Sequence, residues 1–161
     1  MSSAPTTPSP AEQSAGMLQR LSELFATDIE NMPHEMLAAH PGGKARCGYD
    51  LIMEVATINR MVAAKCSDPG LEIPTPQGWT TAPDSYKNKE AALADFKSSV
   101  SDVCAALAEL SPDKYDTVVM TPLGEMPLIR FGQILPVHTM YHSGQLNYIQ
   151  TLHGDDAFHW A

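Results

Sequence analysis

The stretch from Ile134 to Leu152, ILPVHTMYHSGQLNYIQTL, constrains the fold most, because it combines helical periodicity with two histidines four residues apart. At 100° per residue, several of its side chains fall within about 40° of one direction. These residues are Ile134, His138, His142, Gln145, Ile149 and Leu152. The sequence therefore predicts an amphipathic helix whose two imidazoles point toward the protein interior.

Two buried imidazoles one turn apart need polar partners, since an unsatisfied polar ring in an apolar interior costs roughly 1–3 kcal/mol. A shared metal ion is one solution, because this spacing lets one ion take a nitrogen from each ring. A pair of core histidines bonded to carboxylates or water is the other, and the spacing alone leaves both open. His34 and His40 lie in turn-forming sequence and are interpreted as solvated.

Three further amphipathic stretches precede this helix. Ser9 and Glu12 form a capping box that predicts the start of the first helix. Apolar periodicity predicts a second helix over residues 49–65 and a third over residues 88–110. Four long amphipathic helices predict an all-α protein with the architecture of an up-and-down four-helix bundle.

The remaining segments divide the chain into an arm, a domain and two connections. Residues 1–8, rich in Ser, Thr and Pro, are expected to form a disordered N-terminal arm, and residues 9–161 a single bundle domain. Residues 67–87 contain four prolines and no periodicity, which predicts a long loop. Its Trp79 is expected either to cover one end of the bundle or to pin the loop to the core. Residues 116–125 predict a short arm or hairpin.

Composition and charge exclude several classes of partner. The chain has 161 residues with a formal charge of −9, and its Lys and Arg residues are scattered, so it has no basic patch for nucleic acid or anionic lipid. No apolar run approaches the roughly 18 residues that span a bilayer. Cys47, Cys66 and Cys104 are odd in number and form no C-x-x-C motif, which suits reduced thiols. We therefore expect a soluble cytoplasmic protein that binds neither nucleic acid nor membrane.

Glu54 is the most informative residue of the second helix, because it lies on the apolar face, where an ionised carboxylate is partly desolvated unless it is paired. It is interpreted either as a glutamate at the edge of the apolar stripe that reaches solvent, or as a metal ligand. Asp50 is a weaker candidate, expected to favour the helix N-terminus by its charge. In a bundle, Glu54, His138 and His142 can converge and leave open positions, as in catalytic zinc sites or non-haem iron triads.

The segment HTMYHSGQL at residues 138–146, followed by Gly154 and Asp155, resembles the last helix of DinB-like (YfiT-type) proteins. Residues 52–60, IMEVATINR, resemble the second helix of that family more loosely. The resemblance implies a four-helix bundle that dimerises and binds one divalent metal ion, nickel or zinc first, through a histidine triad. Iron is a further candidate.

Carried onto this sequence, the triad becomes Glu54, His138 and His142, with glutamate in place of the first histidine. Some relatives transfer low-molecular-weight thiols or isomerise thiol adducts, and others are described as metal-dependent hydrolases. The resemblance therefore implies a metal-dependent enzyme, a thiol S-transferase or a hydrolase, whose substrate is a small molecule such as a low-molecular-weight thiol. Tyr141 and Gln145 border the site and are expected to orient substrate, to bond the ligands or to pack. No catalytic side chain is assigned.

The alternative from another functional class is a non-catalytic bundle that serves as a stress-response or binding module. In that case the histidines and the glutamate bond only each other. Under either function we expect a homodimer, for which Trp79, Phe158 and Trp160 are the exposed aromatic candidates at an interface.

Overall fold

The computed structural model describes residues 7–74 and 77–161 and consists mainly of four long helices. These are α1 (Pro10–Asn31), α3 (Gly48–Ser67), α4 (Lys89–Ala108) and α5 (Leu128–Leu152), with a short helix α2 (His34–Ala38) after the first. Strands β1 (Val118–Thr121) and β2 (Gly124–Pro127) pair as an antiparallel hairpin immediately before α5. The predicted four-helix bundle is confirmed, and most of the predicted N-terminal arm, residues 1–6, lies outside the described residues.

Local capping interactions set the starts of the helices. The Ser9 hydroxyl accepts a hydrogen bond from the backbone N–H of Glu12, and the Glu12 carboxylate accepts one from the backbone of Ser9, so the capping box is formed. The Asn88 side chain accepts a hydrogen bond from the backbone of Ala91 at the start of α4. In the described ranges, none of the helices combines the length and apolar character that crossing a bilayer requires.

Each helix of the bundle packs against two others: α1 and α3 both contact α4 and α5, so α1 lies diagonally opposite α3. One core cluster contains Tyr49 and Ala92, which lie near the starts of α3 and α4. The other contains Cys66 and Leu107, which lie near the ends of the same helices. Helices α3 and α4 therefore run in the same direction. In chain order, the directions of the four long helices are up, down, down and up, whereas an up-and-down bundle would alternate.

The long loop between α3 and α4 makes this connectivity feasible. A helix of 20 residues is about 30 Å long, and a loop of similar residue count in extended conformation is more than long enough to return along it. At one end of the loop, the Lys65 ammonium donates to the carbonyls of Pro69 and Leu71. At the other end, the Asp50 carboxylate accepts a hydrogen bond from the backbone N–H of Ala82 at 2.7 Å. The loop thus runs back along the side of α3.

The buried face of α5 is rotated by about a quarter turn from the predicted face. Leu135, Thr139 and Leu146 are fully buried, whereas Leu152, expected near the centre of that face, is half exposed. Pro136, which lies almost opposite the predicted face, is buried as well. The reason is that α5 packs on both α1 and α3, so its buried arc is wide and the two histidines lie at the edge that faces α3.

The C-terminal tail folds back onto the bundle. Gly154, with a φ of +87°, ends α5 in the left-handed conformation that glycine adopts easily. The Trp160 indole N–H donates to Oδ1 of Asp28 at 2.7 Å, and the Ser143 hydroxyl donates to Oδ2 of the same carboxylate at 2.5 Å. Burial raises the pKa of the Asp28 carboxyl. Trp160 is therefore tied to the core and is not the exposed interface residue that we expected, whereas Phe158 is 75% exposed.

Replacing Trp160 by Phe removes one hydrogen-bond donor from a buried carboxylate and keeps most of the apolar contact. We expect the Trp160→Phe variant to lose about 1–3 kcal/mol of unfolding free energy, measured by urea denaturation. The exposed Val118 of β1, away from the tail, provides a control, and Val118→Thr should change stability by less than about 0.5 kcal/mol. Equal losses in the two variants would contradict a specific role for the indole N–H.

Candidate metal centre

Glu54 from α3 and two histidines from α5 meet where these antiparallel helices touch. Nε2 of His142 lies 3.1 Å from Nε2 of His138 and 3.2 Å from Oε1 of Glu54. Nε2 of His138 lies 3.6 Å from the same carboxylate oxygen. One ligand atom from each of the three residues thus lies within 4.8 Å of the other two. The structure brings together the three residues that the sequence suggested as metal ligands.

The separations between these atoms fit the coordination of a single cation. A tetrahedral ion with bonds of about 2.0–2.2 Å holds its ligand atoms about 3.3–3.6 Å apart. The side chain of His142 is fully buried, whereas those of Glu54 and His138 are 17% and 18% exposed. A cation at this position would therefore have protein on one side and an accessible face on the other.

Gln145 determines which nitrogen of His142 carries hydrogen. Its amide oxygen lies 2.7 Å from Nδ1 of His142, and because that oxygen can only accept, Nδ1–H must donate to it. The Gln145 amide nitrogen in turn donates to the hydroxyl of Tyr141 at 3.3 Å. The neutral His142 ring consequently presents an unprotonated Nε2 to the cluster, as metal-binding histidines do when an outer partner orients them.

In this tautomer, the contact between His142 and Glu54 is unfavourable unless a positive charge lies between them. With His142 neutral, its Nε2 lone pair faces an oxygen of Glu54 at 3.2 Å, and two acceptors at that distance repel each other. His138 can supply one hydrogen from Nε2, to either neighbour but not to both. Its own Nδ1 is buried and has no hydrogen-bond partner among the described residues. A cation shared by the three atoms, either a proton or a metal ion, would remove the repulsion.

Arg46, in the segment between α2 and α3, binds the other oxygen of Glu54. Its Nη1 forms an ion pair with Oε2, and its guanidinium carbon lies 4.7 Å from the ring centroid of Trp79. Burial alone would raise the pKa of the Glu54 carboxyl. Any hydrogen that the His138–His142 pair directs at Oε1, together with the charge of Arg46, outweighs burial and holds that pKa well below its usual range. Glu54 is therefore an anion whose Oε1 is directed at the imidazoles.

Two cavities share Trp79, which is 74% exposed, as a lining residue. The first, of about 330 Å³, opens directly onto Glu54 and His138. Its other walls are mainly nonpolar and come from Ile58, Phe131 and Ile134 and from the hairpin tip at Pro122 and Leu123. We call it the ligand-side cavity. The second, of about 430 Å³, lies between α5 and the segment that carries Arg46, and we call it the linker cavity.

A comparison of the sequence with family models identifies the family. The model of the DinB superfamily matches residues 29–146. The chain belongs to the DinB superfamily. A solved structure, of a conserved protein from Enterococcus faecalis, is similar to this DinB bundle with a TM-score of 0.68 and 14% identity. The match covers 91% of this chain and 98% of the other, and at this identity it shows the fold alone. Among curated proteins, none matches the chain significantly.

Other sequence candidates lie outside the cluster of this DinB domain. The Asp50 carboxylate caps α3 and anchors the long loop through Ala82, so both its oxygens are engaged by backbone N–H groups. His34 and His40 are exposed, in agreement with the prediction. Arg46 was missed. A desolvated glutamate requires a cation, but the sequence does not determine the path of the segment that brings Arg46 to it.

Replacing Arg46 by Gln leaves the Glu54 carboxylate without its counter-charge. In metal-free protein we expect the Arg46→Gln variant to lose about 1–3 kcal/mol of unfolding free energy, measured by urea denaturation in the presence of a chelator. The double variant Arg46→Gln/Glu54→Gln should recover most of that loss.

Arg60→Gln is the matched control, because Arg60 pairs with Asp95 at a more exposed position. This substitution should lower the unfolding free energy by less than about 1 kcal/mol. If the Arg46 and Glu54 substitutions are additive, the ion pair does not contribute to stability.

Proposed function

We propose that the protein is a metal-dependent enzyme acting on a small molecule, with Glu54, His138 and His142 as the ligands of one divalent cation. The convergence of three possible ligand atoms, with the Nε2 lone pair of neutral His142 facing the Glu54 carboxylate, carries this proposal. Two imidazole nitrogens and one carboxylate oxygen suit zinc, nickel or iron(II). Membership of the DinB superfamily supports the same assignment.

When bound, a divalent cation would act as a Lewis acid and lower the pKa of a thiol or water molecule at its open position. Two neighbouring residues orient the ligands for such an ion. Gln145 keeps Nε2 of His142 free to coordinate, and Arg46 fixes Glu54 so that one oxygen faces the imidazoles. Glu54 also supplies an anionic oxygen for the cation, while its other oxygen stays paired with Arg46.

The ligand-side cavity supports a reaction in which nucleophile activation does not depend on a separate protein base. Among the described residues that line it, Glu54 and His138 are the only titratable ones. Nonpolar walls limit water and suit the uncharged electrophilic group of a substrate. We therefore infer transfer of a small thiol to an electrophile as the first reaction class and hydrolysis as the second.

One observation favours the non-catalytic alternative. Arg46 already neutralises Glu54, and a single additional proton on His142 would satisfy its contact with the carboxylate without any metal. In that case the cluster is a buried polar network that joins α3 to α5. Metal content separates the two functions, because the network requires none.

Calorimetric titration of chelator-treated protein with Zn²⁺ and with Ni²⁺ tests the proposal. We expect about one ion per chain, in keeping with a single three-ligand site. Glu54→Gln and His142→Ala should each weaken binding by more than the roughly 10–100-fold that loss of an outer partner causes. Glu54→His should retain binding, because imidazole is also a good ligand for both ions.

Glu23→Gln, at an exposed position of α1, is the control and should bind as the wild type does. Circular dichroism should show the same helix content in all variants. Undiminished affinity in Glu54→Gln would remove Glu54 from the site, and a wild-type chain that binds neither ion would favour the non-catalytic network.

We also propose that the protein forms a homodimer. Exposed nonpolar side chains that a second copy would bury include Val137 and Leu152 on α5 and Phe158 in the tail. Light scattering at micromolar concentration should give twice the 17.5 kDa mass of one chain. A mass of 17.5 kDa would show that the protein is monomeric.

A further inference from the structure

The linker cavity is lined by two basic side chains in a chain that is acidic as a whole, although one of them, Arg46, is also paired with Glu54. Its walls include Lys44 and Arg46, and no carboxylate is among the described residues that line it. The chain contains 19 Asp and Glu residues but only 10 Lys and Arg residues, so two cations and no acid in one cavity depart from the average surface. A concave wall of one charge raises the local concentration of small ions of the opposite charge.

Both cations retain unused hydrogen-bonding capacity. Several other basic side chains of the described structure are paired, for example Arg60 with Asp95 and Lys97 with Glu30. Lys44 forms neither an ion pair nor a side-chain hydrogen bond within residues 7–74 and 77–161. Of the Arg46 guanidinium, Nη1 contacts Glu54, whereas Nε and Nη2 have no hydrogen-bond acceptor in the same part of the chain.

The opposite wall of the linker cavity adds polar and aromatic groups from α5. Tyr141, Gln145 and Tyr148 line it, and both phenol rings are more than half exposed. Gln145 also binds His142, and Arg46 also binds Glu54, so two of the lining residues touch the candidate metal ligands directly. The linker cavity is therefore adjacent to the cluster, and it shares Trp79 as a wall with the ligand-side cavity.

We propose that the linker cavity binds the carboxylate group of a small-molecule substrate whose nonpolar, reactive end occupies the ligand-side cavity. This inference rests on the proposed function, because it names the class of substrate for that centre. A guanidinium can bind a carboxylate through two parallel N–H donors, and Lys44 adds a mobile point charge at the rim. Cavities of about 330 and 430 Å³ fall in the range of small-molecule sites.

The test uses 4-phenylbutyrate, which carries one carboxylate and a nonpolar ring, and its neutral isostere 4-phenylbutyramide. Each is titrated into ¹⁵N-labelled full-length protein, and dissociation constants are taken from NMR shifts of the Trp79 indole and neighbouring amides. The acid should bind at least about tenfold more tightly than the amide, the loss expected when a hydrogen bond to a charged group is removed. Raising the salt concentration should weaken binding of the acid and leave binding of the amide unchanged.

Lys44→Gln should weaken binding of the acid by about tenfold and leave that of the amide unchanged. Lys97→Gln removes a cation on the α1–α4 side of the bundle and should change neither constant. Equal affinities for acid and amide, no binding of the acid, or an unchanged constant in Lys44→Gln would each overturn the carboxylate site. Since Lys44 is exposed, its substitution is compatible with folding.

The same titrations, run on metal-free and on zinc-loaded protein, separate this inference from the proposed function. Selective binding of the acid by a protein that takes up no zinc would retain the carboxylate site and reject the metal centre. Zinc binding without any preference for the acid would reject the carboxylate site and retain the metal centre.

Discussion

The candidate site depends on the interactions of one ionised carboxylate, that of Glu54. One of its oxygens pairs with Arg46 and the other faces the imidazoles of His138 and His142. A partly buried carboxylate without such partners would cost several kcal/mol. Two irregular segments are arranged around this charge, because the one between α2 and α3 brings Arg46 and the long loop stacks Trp79 on that guanidinium.

The connectivity of the bundle explains why the long loop is part of the site. Since α3 and α4 run in the same direction, the chain must travel back along α3 between them. Lys65 and Asp50 fix the two ends of that path through backbone contacts. The indole of Trp79 consequently stands beside the junction of α3 and α5, where it forms a wall of both cavities.

Helical periodicity and residue type were sufficient to predict the four-helix bundle and a trio of candidate ligands that the structure brings together. For the segment before α5 they left a short arm and a hairpin open, and the structure has the hairpin. They did not predict that the histidines lie at an edge of the buried face of α5, because the rotation of a helix depends on how many neighbours it packs against. Arg46 was missed, and Trp160 was expected to be exposed but is tied to the core. Their partners come from other elements, and loop paths are not encoded in local periodicity.

X-ray absorption spectroscopy of the zinc-loaded protein, prepared without thiols, tests the central claim most directly. Coordination by Glu54, His138 and His142 predicts a first shell of nitrogen and oxygen only, at about 2.0–2.2 Å, with the outer-shell scattering of two imidazole rings. A sulfur scatterer at about 2.3 Å, or scattering from fewer than two imidazoles, would contradict the assignment of these three residues as the metal ligands.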